Sequence, residues 1–142
     1  YEKKPVIWNV DGIPAEFGQE LLPPNIERLM NNFEKCMWRF PIIEDIGIKV
    51  SNNGPICYSP DGFPIVGPVT DQEGLWLATA FSIGIGTGGG TSQFLSEWIV
   101  NGKPPYELQA IYPDRFRKPI SKEKAVADII ATYAAGYTIP EV

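Results

Sequence analysis

The chain has 142 residues, enough for one domain with a core, and its 44% hydrophobic and 20% charged content is that of an ordinary globular protein. A formal net charge of −5 without a Lys/Arg cluster excludes a nucleic-acid surface, and no segment has the uninterrupted apolar length of a membrane helix. There is no histidine, so local acid–base chemistry falls to carboxylates, cysteine, tyrosine or lysine, no metal site is expected, and zinc held by His or a Cys cluster is excluded.

The opening YEKKPVIWN is too short an apolar run for a signal peptide. It predicts a strand over residues 5–9, followed by a turn at Asp11-Gly12 and a break at Pro14. Residues 13–22 carry no clear period, although Phe17, Leu21 and Leu22 could cover a larger surface. From Pro24 the period changes. Ile26, Leu29, Met30, Phe33, Met37 and Phe40 share one helical face, with Pro23-Pro24 before it and Pro41 as its stop. This is expected to be a packing helix, with Cys36 a small buried hydrophobe. Cys36 and Cys57 make no disulfide framework and favour a reducing compartment, with a single bridge left open.

Residues 42–48 connect to a turn at Ser51-Asn52-Asn53-Gly54. Two short apolar runs, 55–58 and 63–66, are joined by Ser59-Pro60-Asp61-Gly62, which predicts a hairpin or a sharply bent strand. Asp61 reads first as an Asx-turn residue bonded to its own backbone, and alternatively as a carboxylate near a cofactor. A second turn, Asp71-Gln72-Glu73-Gly74, leads into a buried strand over 75–80.

A glycine-rich turn follows. Gly84, Gly86 and Gly89 fit G-x-G-x-x-G between a strand and a helix. The helix is predicted to begin near Thr87 or Gly88, to present Phe94, Leu95, Trp98 and Ile99 as its apolar face, and to stop at Asn101-Gly102. Glycines 88–90 each cost such a helix about 1 kcal/mol relative to alanine. Two readings account for that: a ligand at the helix N-terminus, where free N–H groups and the dipole favour an electron-rich group, or close packing of helix on strand. A dinucleotide-binding βαβ unit would need a second strand about 20 residues on, ending in an acidic residue. Only Glu107 stands in that region, so a Rossmann half is disfavoured and a different part of a cofactor stays open. Residues 103–119 predict an extended arm and 122–133 a short amphipathic helix, with Ala125, Val126, Ile129, Ile130 and Tyr133 inward. The tail 134–142 reads as a connector to more protein.

GPICYSPDGFPIVGP, then GLWLATAFSIGIGTGGGTSQFLSEWIVNGKPPYEL and YPDRF, resemble the C-terminal part of the flavin domain in the dimethylglycine/sarcosine dehydrogenase family of D-amino-acid-oxidase-like flavoproteins. Upstream, Val6-Ile7-Trp8, Trp38-Arg39-Phe40-Pro41 and Asn53-Gly54-Pro55 fit the same family. The resemblance implies an α/β (α+β) fold with a mixed sheet and packing helices. Residues 1–119 would belong to the oxidoreductase domain, and 120–142 would connect to a downstream folate-type domain. It implies FAD-dependent oxidation of a small N-methylated amine, with Ser82, Ile83, Gly84, Ile85, Gly86 and Thr87 against the flavin ring. FAD would be non-covalent within these residues, since there is no histidine and Cys57 stands at a different offset from the cysteine that anchors flavin in some relatives. Tyr58 and Asp61 are the local candidates near a substrate. The amino-terminal unit that holds the ADP moiety is not among these residues, so the chain is expected to lack catalysis alone, and tetrahydrofolate would concern only a full-length parent. The implied compartment is cytoplasm or mitochondrial matrix, the implied partner a small amine, with association through unpaired sheet edges. A non-enzymatic regulatory or binding module is the alternative, because some relatives are regulatory subunits.

Overall fold

The computed structural model describes residues 13–18 and 20–136. The expected strand at 5–9, the turn at Asp11-Gly12, the Val6-Ile7-Trp8 motif and the end of the tail lie outside them. The chain divides into two compact units, one ending at Pro55 and one starting at Ile56.

In the first unit a 3-10 turn, Glu27–Leu29, runs directly into helix α1, Met30–Arg39. The helix closes where the Phe40 N–H donates to the Cys36 carbonyl. Pro41, which cannot donate to that ladder, opens a second 3-10 turn, Pro41–Glu44, instead of plain connecting chain. The predicted apolar stripe is present, with Ile26, Phe33 and Met37 half-buried, yet no α1 residue is buried in this unit. Cys36 is exposed, a correction to its expected burial. At 100° per residue it stands about a quarter-turn off the Ile26–Phe33–Met37 line. The turn predicted at 51–54 is also absent. The Asn53 carbonyl accepts the Leu22 N–H at 2.7 Å and its Nδ2 donates to the Pro23 carbonyl at 2.8 Å, so Asn53 joins two segments as an isolated antiparallel bridge.

The second unit is built on an antiparallel hairpin. Strands β1, Ile65–Pro68, and β2, Trp76–Thr79, pair Ile65 with Thr79 and Pro68 with Trp76. Gly74, at φ +79°, takes the left-handed position of the connecting turn that a side chain would strain. The hairpin thus lies one turn later than expected, because residues 55–58 form no strand. The Phe63 carbonyl, which a ladder there would need, already accepts from Ser59 Oγ at 2.7 Å and Arg115 Nη2 at 2.9 Å. The sheet among the described residues is this antiparallel pair and not a mixed sheet. The strand expected to be buried is only partly so: Trp76 and Leu77 are half-buried while Ala78 and Thr79 are exposed, since β2 has a strand on one edge only.

Helix α2, Gly84–Asn101, packs on β1 and stops at Gly102, which adopts the left-handed C-terminal conformation at φ +70°. Val66, Phe94, Trp98 and Ile111 form the core, with Trp76, Phe81, Leu95 and Tyr112 around them. Of the predicted α2 face, Phe94 and Trp98 are buried, Leu95 is half-buried and Ile99 is exposed. The expected extended arm is broken by 3-10 turns at Gln109–Ile111 and Pro113–Phe116, where Ile111 turns into the core. Helix α3, Lys122–Ala135, matches its prediction. Ser121 Oγ caps it by accepting the Lys124 N–H. Thr132 Oγ1 donates to the Pro60 carbonyl at 2.9 Å, and Tyr133 meets Tyr58 edge-on at 5.4 Å, which docks α3 on the 58–62 turn. With helices and an antiparallel hairpin in one chain, the class is α+β.

Candidate functional site

The site begins where β2 ends. Ala80 is buried at φ +60°, a left-handed conformation that costs a non-glycine residue about 1–2 kcal/mol. The Ser82 N–H donates back to the Ala80 carbonyl at 3.0 Å, so the chain reverses within three residues and enters α2 at once. The Thr87 N–H then donates to the Ile83 carbonyl at 3.1 Å and its Oγ1 donates to the same oxygen at 2.8 Å. These bonds close the first helical turn over the glycines. The helix therefore starts at Gly84, three or four residues before the start predicted near Thr87 or Gly88. The segment 82–87 is the tight turn plus the first turn of α2, not a loop ahead of it.

This helix end is bare. Ile83 stands at the N-cap with no side chain able to accept a backbone N–H, and the first turn has no acidic residue. Helix geometry leaves the N–H groups of Gly84, Ile85 and Gly86 without intrahelical acceptors, and the dipole adds partial positive charge there. Ile83 and Ile85 are exposed, Ile85 at 104%. The glycines beyond are not explained by internal packing. A Cβ built at Gly88, Gly89 or Gly90 would meet no atom within 4 Å, and one at Gly84 would meet only Phe81 Cβ at 3.9 Å. Among the described residues, then, the close helix–strand packing that could account for glycines 88–90 is absent.

Asp61 and Tyr58 lie on the 58–62 turn. Asp61 Oδ1 accepts the Phe63 N–H at 3.1 Å, which is the Asx turn read from the sequence, and also accepts from Ser59 Oγ at 2.9 Å. Its carboxylate further accepts from Arg115 Nε at 2.6 Å and Nη2 at 3.1 Å. Arg115 also donates from Nη2 to the Phe63 carbonyl and from Nη1 to the Tyr112 carbonyl, so one guanidinium clasps the Ser-Pro-Asp-Gly turn to the Tyr-Pro-Asp-Arg-Phe segment. Sequence reasoning quoted that segment but did not single out Arg115. The available signal was a carboxylate in a turn that needs a fork-shaped counter-charge. No hydrogen bond or ring contact among the described residues links Tyr58 or Asp61 to the 82–87 turn. Both cysteines are exposed and free, and no group of three or more Cys, Asp or Glu that could hold a metal ion occurs among the described residues.

The Asp61 clasp has a pH signature. Burial pushes the Asp61 carboxyl up, but hydrogen bonds from Arg115, Ser59 and the Phe63 N–H, with the Arg115 charge, outweigh it and hold the carboxyl below its ordinary value. A carboxyl lowered by folding stabilises the fold fully above its unfolded pKa, and that contribution is lost as pH falls through the folded value. Thermal unfolding of the chain and of Asp61→Asn is expected to differ most at neutral pH and to converge below about pH 4. A difference that does not change across that range would remove the ion pair from the account.

No family model matches the chain. It is 40% identical over 111 residues to mouse mitochondrial dimethylglycine dehydrogenase, covering 78% of this chain and 13% of that protein. It is 30% identical over 122 residues to human mitochondrial sarcosine dehydrogenase, covering 85% of this chain and 13% of that protein. It is also 34% identical over 113 residues, 76% of this chain and 13% of the relative, to the mouse mitochondrial pyruvate dehydrogenase phosphatase regulatory subunit. By their names the first two are dehydrogenases, a class of oxidoreductase. The chain belongs to the dimethylglycine and sarcosine dehydrogenase family, and spans about an eighth of the length of these relatives. Among the described residues no helix is long and apolar enough to cross a membrane.

Proposed function

We propose that this chain is the part of an FAD-dependent oxidoreductase that contacts the flavin, in a protein that oxidises a small N-methylated amine of the dimethylglycine or sarcosine type. The observation that carries the reading is the bare start of α2, with uncapped N–H groups and three successive glycines whose missing Cβ atoms face no part of the chain. These residues fit a planar, electron-rich ring. Residues 82–87 supply N–H donors, no competing carboxylate, and apolar surface from Ile83 and Ile85. The chemistry FAD supplies is acceptance of a hydride equivalent from the amine's C–H. The role of residues 82–87 is to stabilise negative charge on the ring edge with fixed dipoles, worth about 0.3–1 kcal/mol at an exposed helix end and up to about 2 kcal/mol when partly buried. Ala80 and Thr87 hold those donors in place beforehand. FAD would be non-covalent here, tetrahydrofolate would concern only a longer parent, and the mitochondrial names of the relatives support a matrix location. The outer edge of β2 offers a place for association with further strands.

A second reading, a regulatory or binding module without turnover, is favoured by one observation, the 34% identity to the phosphatase regulatory subunit. Both readings are tested by visible absorption after adding FAD and desalting, on the chain and on a full-length protein that carries it. Gly89→Ala is expected to stabilise the isolated chain by about 0.5–1 kcal/mol, because the new methyl meets nothing. In the full-length protein the same change, or Gly86→Ala, is expected to remove the retained flavin band. A full-length variant that keeps its flavin overturns the cofactor reading. A flavin that the amine fails to bleach in the wild type favours the regulatory module.

A further inference from the structure

The two strands of the hairpin end the sheet in different ways. In an antiparallel pair the backbone groups of successive residues point alternately to the partner strand and away from it. The Val69 N–H donates to the Leu75 carbonyl at 2.9 Å, in register with the pairs Gly67–Leu77 and Ile65–Thr79, which fixes the phase. The backbone groups of Pro64, Val66 and Pro68 therefore point to the outer edge of β1, and those of Trp76 and Ala78 to the outer edge of β2. Pro64 and Pro68 have no N–H to offer, and Val66 between them is 0% exposed. The β1 edge is closed by proline, one of the ways natural sheets protect an edge.

The β2 edge has no such protection. Ala78 is exposed, and among the described residues no backbone hydrogen bond occupies the outward N–H or C=O of Trp76 or Ala78. Neither a proline nor a charged side chain occurs from Leu75 to Ser96, in a chain that carries −5 overall. An edge that ends in water commonly carries one or the other. LWLATA is instead the near-continuous apolar run of an interior strand. A missing neighbour accounts for the difference between the buried strand that the sequence predicts and the exposed Ala78 and Thr79.

We propose that the sheet grows on this side alone: β2 is an interior strand, and its outer edge takes one strand from another part of a longer polypeptide. The occupant is an extended, uncharged segment with N–H and C=O groups opposite Trp76 and Ala78. The relatives leave room for it, since this chain spans about an eighth of their length. The pairing stops at Ala80, which is buried at φ +60° with its carbonyl already accepting the Ser82 N–H. The added strand therefore borders the 82–87 turn, whether or not a flavin binds there.

The test is hydrogen–deuterium exchange resolved to single amides, on the 142-residue chain and on a full-length protein that carries it. In the isolated chain the amides of Trp76 and Ala78 are expected to exchange at least about tenfold faster than those of Leu77 and Thr79, which face β1. In the full-length protein all four are expected to be slow, with Trp76 and Ala78 slowed about tenfold or more. Ala78→Pro removes one outward N–H and none that faces β1. In the full-length protein it should return Trp76 to fast exchange, and in the isolated chain it should leave Trp76 unchanged. Should the variant fail to fold, the wild-type comparison still decides. Fast exchange at Trp76 and Ala78 in the full-length protein would overturn the proposal. Protection already present in the isolated chain would overturn it too: the partner is then a second copy if protection rises with concentration, and a segment of this chain if it does not.

Discussion

Trp98→Ala is expected to destabilise the unit from Ile56 onward by about 3–5 kcal/mol, the usual range for removing a buried large aromatic side chain. The indole is where the second unit's elements meet. Its ring lies 4.8 Å from Tyr112, 5.7 Å from Phe94 and 5.8 Å from Trp76. It also touches the backbone of β1 at Gly67, where an added Cβ would come within 3.0 Å of the ring. One side chain thereby joins α2, both strands and the 3-10 turns after the helix. Few other buried residues could compensate, since among the described residues the core cluster is Val66, Phe94, Trp98 and Ile111 with partly buried neighbours. Against a typical total of about 5–15 kcal/mol, the loss is a large share of the stability. Urea unfolding followed by far-ultraviolet circular dichroism measures it. A loss under about 1 kcal/mol would mean that the core reorganises around the gap and that the aromatic cluster is not what anchors α2.

Gly62→Ala is expected to cost about 2–4 kcal/mol, from two separable causes. Gly62 sits at φ +78°, and a Cβ there would stand 2.6 Å from Thr132 Cγ2 of α3. The left-handed backbone accounts for about 1–2 kcal/mol and the collision for the remainder. The collision is removable. Thr132→Ser deletes Cγ2 and keeps the Oγ1 that donates to the Pro60 carbonyl. Gly62→Ala with Thr132→Ser should therefore recover the steric part and leave the backbone part, read from the same unfolding curves as a double-mutant cycle. If the serine change brings no recovery, α3 does not pack on this turn as described.

The parts of this protein that were legible from residues alone are those governed by neighbours in sequence. The Asx turn at Asp61, the stop at Gly102, the turn at Asp71-Gln72-Glu73-Gly74 and the extent of α3 follow from local chemistry: a side-chain oxygen two residues from an N–H, a glycine free to take positive φ, a helical period with a serine cap. The family, too, was readable from the Ser-Pro-Asp-Gly and Gly-Ile-Gly-Thr-Gly-Gly-Gly segments, and the relatives bear it out. The start of α2 was not, because glycine's low helix propensity argues for a loop over 84–88, whereas the hydrogen bonds of Thr87 to Ile83 carry the helix through it. The hairpin was displaced for a similar reason. Whether residues 55–58 or 76–79 pair with β1 depends on which carbonyls are free, and a guanidinium 52 positions away takes the one at Phe63. Burial of Cys36 and of β2 likewise depends on what lies alongside them, which a periodic pattern in one segment does not contain. Local conformation is encoded within a few residues; strand choice, helix onset and burial are decided by distant partners competing for the same backbone groups and the same apolar surface.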